Sequence, residues 1–141
     1  MDVDRRELAE RLDDVVIALR RLTLDRQGLS LTAAAALTTL RRSGASRLTD
    51  LAVSEGVSQP SMTALVARLA EQGLVQRRTD PGDRRAVLLT LTPAGADLLD
   101  RRRADRAERL ARPAQELSDD DVRAITDALP ALARLAGVSI P

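Results

Sequence analysis

Between residues 4 and 24 the apolar positions Leu8, Leu12, Val15, Val16, Leu19 and Leu22 recur at three- and four-residue steps, with Arg, Glu and Asp between them. That spacing lines one face of a helix, so an amphipathic helix is expected over 4–24, ended by Gly28. Ser30 or Thr32 can cap a second helix over Ala33–Arg42, with Ser43-Gly44 as its stop. A short extended piece at Ser46–Leu48 follows. Thr49 then caps a brief helix, Asp50–Glu55, that turns Leu51 and Ala52 inward and is broken by Gly56.

The next stretch, Val57-Ser58-Gln59-Pro60-Ser61-Met62-Thr63, opens a longer helix with small hydroxyls, an amide and a proline. Ser58 is the expected cap and Gly73 the stop. Pro60 fits because a first-turn amide has no intrahelical partner to lose. Met62, Leu65, Val66 and Leu69 form the buried stripe, which leaves Gln59, Ser61, Thr63, Ala64, Ala67 and Arg68 largely outside. A short helix, a glycine turn and a longer helix make a helix-turn-helix pattern.

Two β-prone runs, Leu74–Thr79 and Arg84–Leu91, flank Asp80-Pro81-Gly82-Asp83. The Pro-Gly order suits the centre of a type II turn, so an antiparallel hairpin is expected, with Val87, Leu89 and Leu91 facing the helices and an Arg-rich tip facing away. Thr92-Pro93 then caps a long helix that Pro113 ends or bends. Ser118-Asp119-Asp120-Asp121 starts a last helix to about Ala136, with a kink expected at Pro130. The fold class is mainly α with a small β hairpin (α+β).

Composition narrows the chemistry. The 141 residues contain no Cys, no His and no Phe, Tyr or Trp. That length suits one folded unit. The missing Cys and His exclude a disulfide framework, a thiolate switch and the commonest metal ligand and general base; no cofactor or metal is expected. No apolar run reaches the ~20 residues that cross a bilayer, and nothing at the N-terminus resembles a signal peptide, so no membrane partner and a cytoplasmic location are expected. Net charge is only +1, but all 22 basic residues are Arg. Five of them lie between Arg68 and Arg85 against three acids, Glu71, Asp80 and Asp83. A core without aromatics is thin, which favours burial against a second copy.

A helix-turn-helix followed directly by a hairpin is a winged helix. Here the chain resembles the MarR family of bacterial transcription regulators, through Leu48-Thr49-Asp50-Leu51-Ala52, Val57 to Thr63, Leu65-Val66-Ala67-Arg68-Leu69, Gly73-Leu74-Val75, and Asp80-Pro81-Gly82-Asp83-Arg84-Arg85 leading into Leu91-Thr92-Pro93-Ala94-Gly95. The motifs cover roughly residues 46–99. The resemblance implies a homodimer that binds double-stranded DNA, with residues 1–30 and 93–141 as helical dimerisation region and 31–92 as winged helix-turn-helix. It implies a repressor on a pseudo-palindromic operator, with half-sites roughly 34 Å apart.

Under that resemblance Ser58, Gln59, Pro60, Ser61, Thr63 and Arg68 form the recognition-helix surface. Gln59 can pair with an adenine edge, Thr63 can meet a thymine methyl, and Ser61 can bond a base or phosphate. Arg68, Arg77 and Arg78 suit phosphate clamping or packing. On the wing, Asp83 and Arg85 match the family's acid two residues before an arginine. Arg85 would enter a minor groove, Asp83 would orient its guanidinium or its strand, and Arg84 would contact phosphate. Family members commonly bind a small anionic effector. Arg20, Leu37, Leu40 and Arg41 are candidate linings for an anionic or apolar one here, though the chain has no aromatic to stack on it.

Two other readings stay open. One is a winged helix used as a protein-interaction or assembly module without DNA recognition, which the near-neutral charge favours. The other is an enzyme, for which no grouping of carboxylates, Ser or Arg stands out. For Arg101-Arg102-Arg103 a solvated, ion-paired helix face is the expectation.

Overall fold

The computed structural model describes residues 4–24 and 28–140. Six helices and three short strands follow in the order α1 (Arg5–Thr23), α2 (Leu31–Ser43), β1 (Ser46–Arg47), α3 (Leu48–Ser54), α4 (Gln59–Glu71), β2 (Val75–Asp80), β3 (Asp83–Leu91), α5 (Pro93–Ala114) and α6 (Asp119–Ala136). Length alone points to one folded unit, yet the chain divides into two compact units, residues 25–105 and residues 1–24 with 106–141.

The middle unit holds the core. Ala33, Ala36, Leu37 and Leu40 of α2, Leu51 and Ala52 of α3, and Met62, Leu65, Val66 and Leu69 of α4 close around Val75, Leu89 and Leu99. With no aromatic available, Ala–Leu interdigitation sets the spacing between helices. Each fully buried Leu contributes about 1.5–3 kcal/mol. The expected stripe on α4 is the one observed.

Several boundaries differ from expectation by a residue or two, and three of the differences have a local reason. Helix α1 stops at Thr23, whose hydroxyl donates back to the Leu19 and Arg20 carbonyls at 3.2 Å; Gly28 therefore does not end it. Helix α3 begins at Leu48, so Thr49 lies inside it, and its N-cap Arg47 makes no side-chain cap. The extended piece shrinks to Ser46–Arg47, which pairs with Leu88 and Leu89 of β3 and makes the expected hairpin a three-stranded antiparallel sheet of order β1-β3-β2.

The hairpin turn is also different. Type II geometry needs a positive φ at its third residue, and Gly82 does not have one. Instead Asp80 Oδ1 accepts the Gly82 amide at 2.9 Å, so the side chain closes the turn. The ladder shifts between Thr79, paired with Val87, and Asp80, paired with Asp83, leaving Arg84, Arg85 and Ala86 outside it.

In the other unit, α6 starts on a capping box in which Ser118 and Asp121 satisfy each other's amides. The Arg109 guanidinium donates to the Leu24 carbonyl. Among the described residues of this unit only Ala133 is buried. No described helix is long and apolar enough to cross a membrane.

Candidate nucleic-acid interface

The turn between α3 and α4 is held from both sides. Thr39 of α2 donates to Glu55 Oε1 at 2.5 Å, the Val57 amide donates to the Ala52 carbonyl, and Gly56 takes φ +65. Burial of Met62, Leu65, Val66 and Leu69 then fixes the rotation of α4. Gln59, Pro60, Ser61, Thr63 and Arg68 are accordingly exposed.

These exposed residues are not equivalent. Ser58 Oγ accepts the Ser61 amide at 3.3 Å and donates to Ser61 Oγ at 2.9 Å, so Ser58 is spent as the cap. The Ser61 hydroxyl keeps its own proton to donate. Thr63 Oγ1 donates to the Gln59 carbonyl at 2.8 Å, which leaves its methyl and lone pairs for a ligand. The Gln59 side chain has no hydrogen bond among the described residues.

On the hairpin, strand alternation separates two arginines that the sequence treats together. Arg77 pairs with Leu89 and shares the face of Val75, whereas Arg78 lies on the opposite face beside Leu88. Asp83 Oδ1 accepts the Arg85 amide at 3.0 Å, so it orients the strand rather than the guanidinium. Arg84 and Arg85 are exposed on the bulged segment, where a bulge characteristically re-aims side chains.

Sequence reasoning missed a contact that ties β1 to the hairpin turn. Arg47 Nε donates to Asp80 Oδ2 at 2.9 Å, across 33 residues. The Gly82 amide, and next the Arg47 charge, hold the Asp80 carboxyl below its ordinary range, against desolvation. No local pattern announces such a pair.

Between α4 and the hairpin lies a cleft of about 210 Å³ lined by Arg47, Leu48, Thr49, Gln59, Thr63, Arg77, Arg85, Ala86 and Val87. It brings recognition-helix and wing residues together. Arg68 instead lines a separate small hollow with Gly28, Leu29 and Leu65. Of the candidate effector residues, Leu37 and Leu40 are core side chains at 0% and 2% exposure. Arg41 is paired with Asp100 at 2.7 Å, and Arg20 is exposed on α1 in the other unit.

Residues 29–87 match the family model described as MarR family. An uncharacterized HTH-type transcriptional regulator of Mycobacterium leprae, ML2140, is 40% identical over 92 residues, 65% of this chain and 64% of the relative. The HTH-type transcriptional repressor NicR of Pseudomonas putida is 44% identical over 64 residues, 45% of this chain and 40% of the relative. The chain thus spans less than two thirds of the length of these relatives. Among solved structures, RV1404 from Mycobacterium tuberculosis shares the fold with a TM-score of 0.80 at 21% identity, over 99% of both chains.

Proposed function

We propose that the chain is a MarR-family, sequence-specific double-stranded DNA-binding transcriptional regulator, on the match of its winged-helix segment, residues 29–87, to that family model and on its likeness to an HTH-type transcriptional regulator. It acts as a homodimer on a pseudo-palindromic operator, as a repressor. One observation carries this reading: the first turn of α4 presents Gln59, Ser61 and Thr63 to solvent beside a cleft that also takes Arg77 and Arg85 from the wing.

The chemistry suits a duplex. An amide, a hydroxyl and a methyl-bearing side chain on one helical tip can read base edges in a major groove, each good pairing contributing about 1–3 kcal/mol of discrimination. Arg85, re-aimed by the bulge, suits the narrow negative channel of a minor groove. Arg84 and Arg78 supply charge for phosphates.

Dimerisation is supported by what the terminal helices leave uncovered. Leu8, Val15, Val16, Ile17 and Leu19 of α1 are 45–54% exposed, and Val122, Ile125, Leu129 and Leu132 of α6 are 39–51% exposed. A unit this poor in buried side chains cannot offset its own chain entropy. Self-association through these faces supplies the missing core, and a two-fold dimer reads a two-fold site. The repressor assignment follows the printed name of NicR. An effector lined by Leu37, Leu40 and Arg41 would have to open the core and break the Arg41–Asp100 pair.

Affinity for a random-sequence duplex, measured across salt concentrations, tests the reading. Neutralised phosphates release counterions, so log K should fall linearly with log salt, at about 0.9 per phosphate contact. Absence of salt-dependent duplex binding at low ionic strength would instead favour a protein-interaction module.

A further inference from the structure

We propose that the cleft between α4 and the hairpin is a phosphate seat, in which Arg47 and Arg77 hold one backbone phosphate of the DNA strand dividing the major from the minor groove, with Asp80 positioning Arg47. The seat rests on the DNA-binding reading and goes beyond it by assigning one backbone phosphate to the cleft between the reading tip and the wing, and a positioning role to Asp80.

The chemistry of the lining carries the assignment. Arg47, Arg77 and Arg85 line the cleft together with Thr49, Gln59 and Thr63, and no Asp or Glu is among the lining residues. Two other hollows of this unit that contain arginine also contain an acid, Asp50 in the one beside β1 and Asp105 in the one beside α5, while a smaller one has Arg68 as its single charged residue. Among the described residues Arg77 and Arg85 make no side-chain ion pair.

Arg47 is the prepared member of the set. Its Nε is committed to Asp80 Oδ2 at 2.9 Å, while its two terminal amino groups have no acceptor among the described residues. The Asp80 side chain is 15% exposed and that of Arg47 is 45% exposed. The anchor is therefore shielded while the fork still reaches solvent. Asp80 is itself fixed, because its other oxygen closes the hairpin turn through the Gly82 amide. A guanidinium held by one edge is pre-organised to offer its remaining N–H groups to a phosphate, at smaller entropic loss than a free arginine.

Position supplies the second line of argument. When a recognition helix occupies a major groove and a wing the adjacent minor groove, one sugar–phosphate strand must pass between them. In this fold the space between α4 and the hairpin is that cleft, and Arg47 and Thr49 are among its lining residues.

The test compares salt dependence of binding to a random-sequence duplex for wild type, Arg47→Ala, Arg47→Lys and Asp80→Asn, with sequence preference measured alongside. Arg47→Ala should flatten the slope by about 0.9 per protomer and weaken all sequences by the same factor. Arg47→Lys, which keeps the charge, should keep the slope. Asp80→Asn should keep the slope and lose affinity by a few-fold. An unchanged slope in Arg47→Ala overturns the seat, and so does Asp80→Asn reproducing the slope loss, since Arg47 would then act only by bracing the wing. A parallel titration with inorganic phosphate and pyrophosphate, followed by thermal stability, identifies the source of the anion. Saturable stabilisation of wild type but not of Arg47→Ala, with duplex slopes equal, would assign the cleft to a free phosphorylated ligand and overturn the DNA assignment. If wild type binds no duplex, the DNA-binding reading fails first and the seat with it.

Discussion

Gly95→Ala pits helix propensity against steric fit, and the structure decides the sign. Gly95 is buried in the first turn of α5. Alanine there would gain about 0.5–1 kcal/mol from lower backbone entropy in the unfolded chain. An added Cβ would, however, sit under 3.0 Å from the Leu74 carbonyl oxygen and 2.5 Å from Leu91 Cδ1. The leucine tip can swing away; the carbonyl cannot, because it accepts the Thr92 amide at 3.1 Å. The same junction is closed by Thr92 Oγ1 donating to the Gly73 carbonyl at 2.5 Å and accepting the Gly95 amide at 3.1 Å.

Relieving the overlap thus costs about 1–3 kcal/mol of overpacking plus about 1 kcal/mol for a loosened hydrogen bond. The net loss should be about 1–3 kcal/mol. With a urea m-value of about 2 kcal/mol/M, the midpoint should drop by roughly 0.5–1.5 M. Far-UV circular dichroism is the suitable probe, since the chain has no Trp or Tyr, and protein concentration must be held fixed because the proposed self-association would contribute to stability. A Gly95→Ala midpoint equal to or above that of wild type would refute the packing argument.

Charging the uncovered face of α6 with the double change Ile125→Glu and Leu129→Glu should convert the proposed dimer to monomer in analytical ultracentrifugation while α2–α4 keep their helical signal; a persisting dimer would place the interface elsewhere. Asp80 has a depressed carboxyl pKa, so its contribution to stability is present above the ordinary value of about 3.9 and is lost as pH falls through the lower folded value. The urea-midpoint gap between wild type and Asp80→Asn should therefore be open near pH 6 and close as the medium becomes strongly acidic, whereas a gap independent of pH would show that the charge on Asp80 does not matter. Gln59→Ala should relax base preference at one position per half-site without changing the salt slope. Unaltered preference would remove Gln59 from the reading surface.

How far the sequence showed the fold depended on the range of the interaction involved. The stripe Met62, Leu65, Val66 and Leu69 is a local periodicity, so burial of α4 and exposure of its first turn were legible together. The caps at Ser30, Ser58, Thr92 and Ser118 were legible for the same reason: each bonds within three residues. The turn at Pro81-Gly82 was misread because the side chain of Asp80, not the glycine's left-handed freedom, closes it. Thr49 looked like a cap, yet pairing of Ser46-Arg47 with β3 starts α3 one residue before it. The Arg47–Asp80 pair was invisible, since its two members lie 33 residues apart. Leu37 and Leu40 show the reverse failure: an apolar residue near a suspected cleft can equally belong to the core, and only packing tells the two apart.

Selection of bound duplexes from a random library is the most direct measurement of the central claim, that two copies of this chain present two polar helical tips to successive major grooves. The account predicts enrichment of an inverted repeat whose half-site centres lie about 10–10.5 base pairs apart. Enrichment of a single unrepeated site, or of no sequence at all, would contradict it.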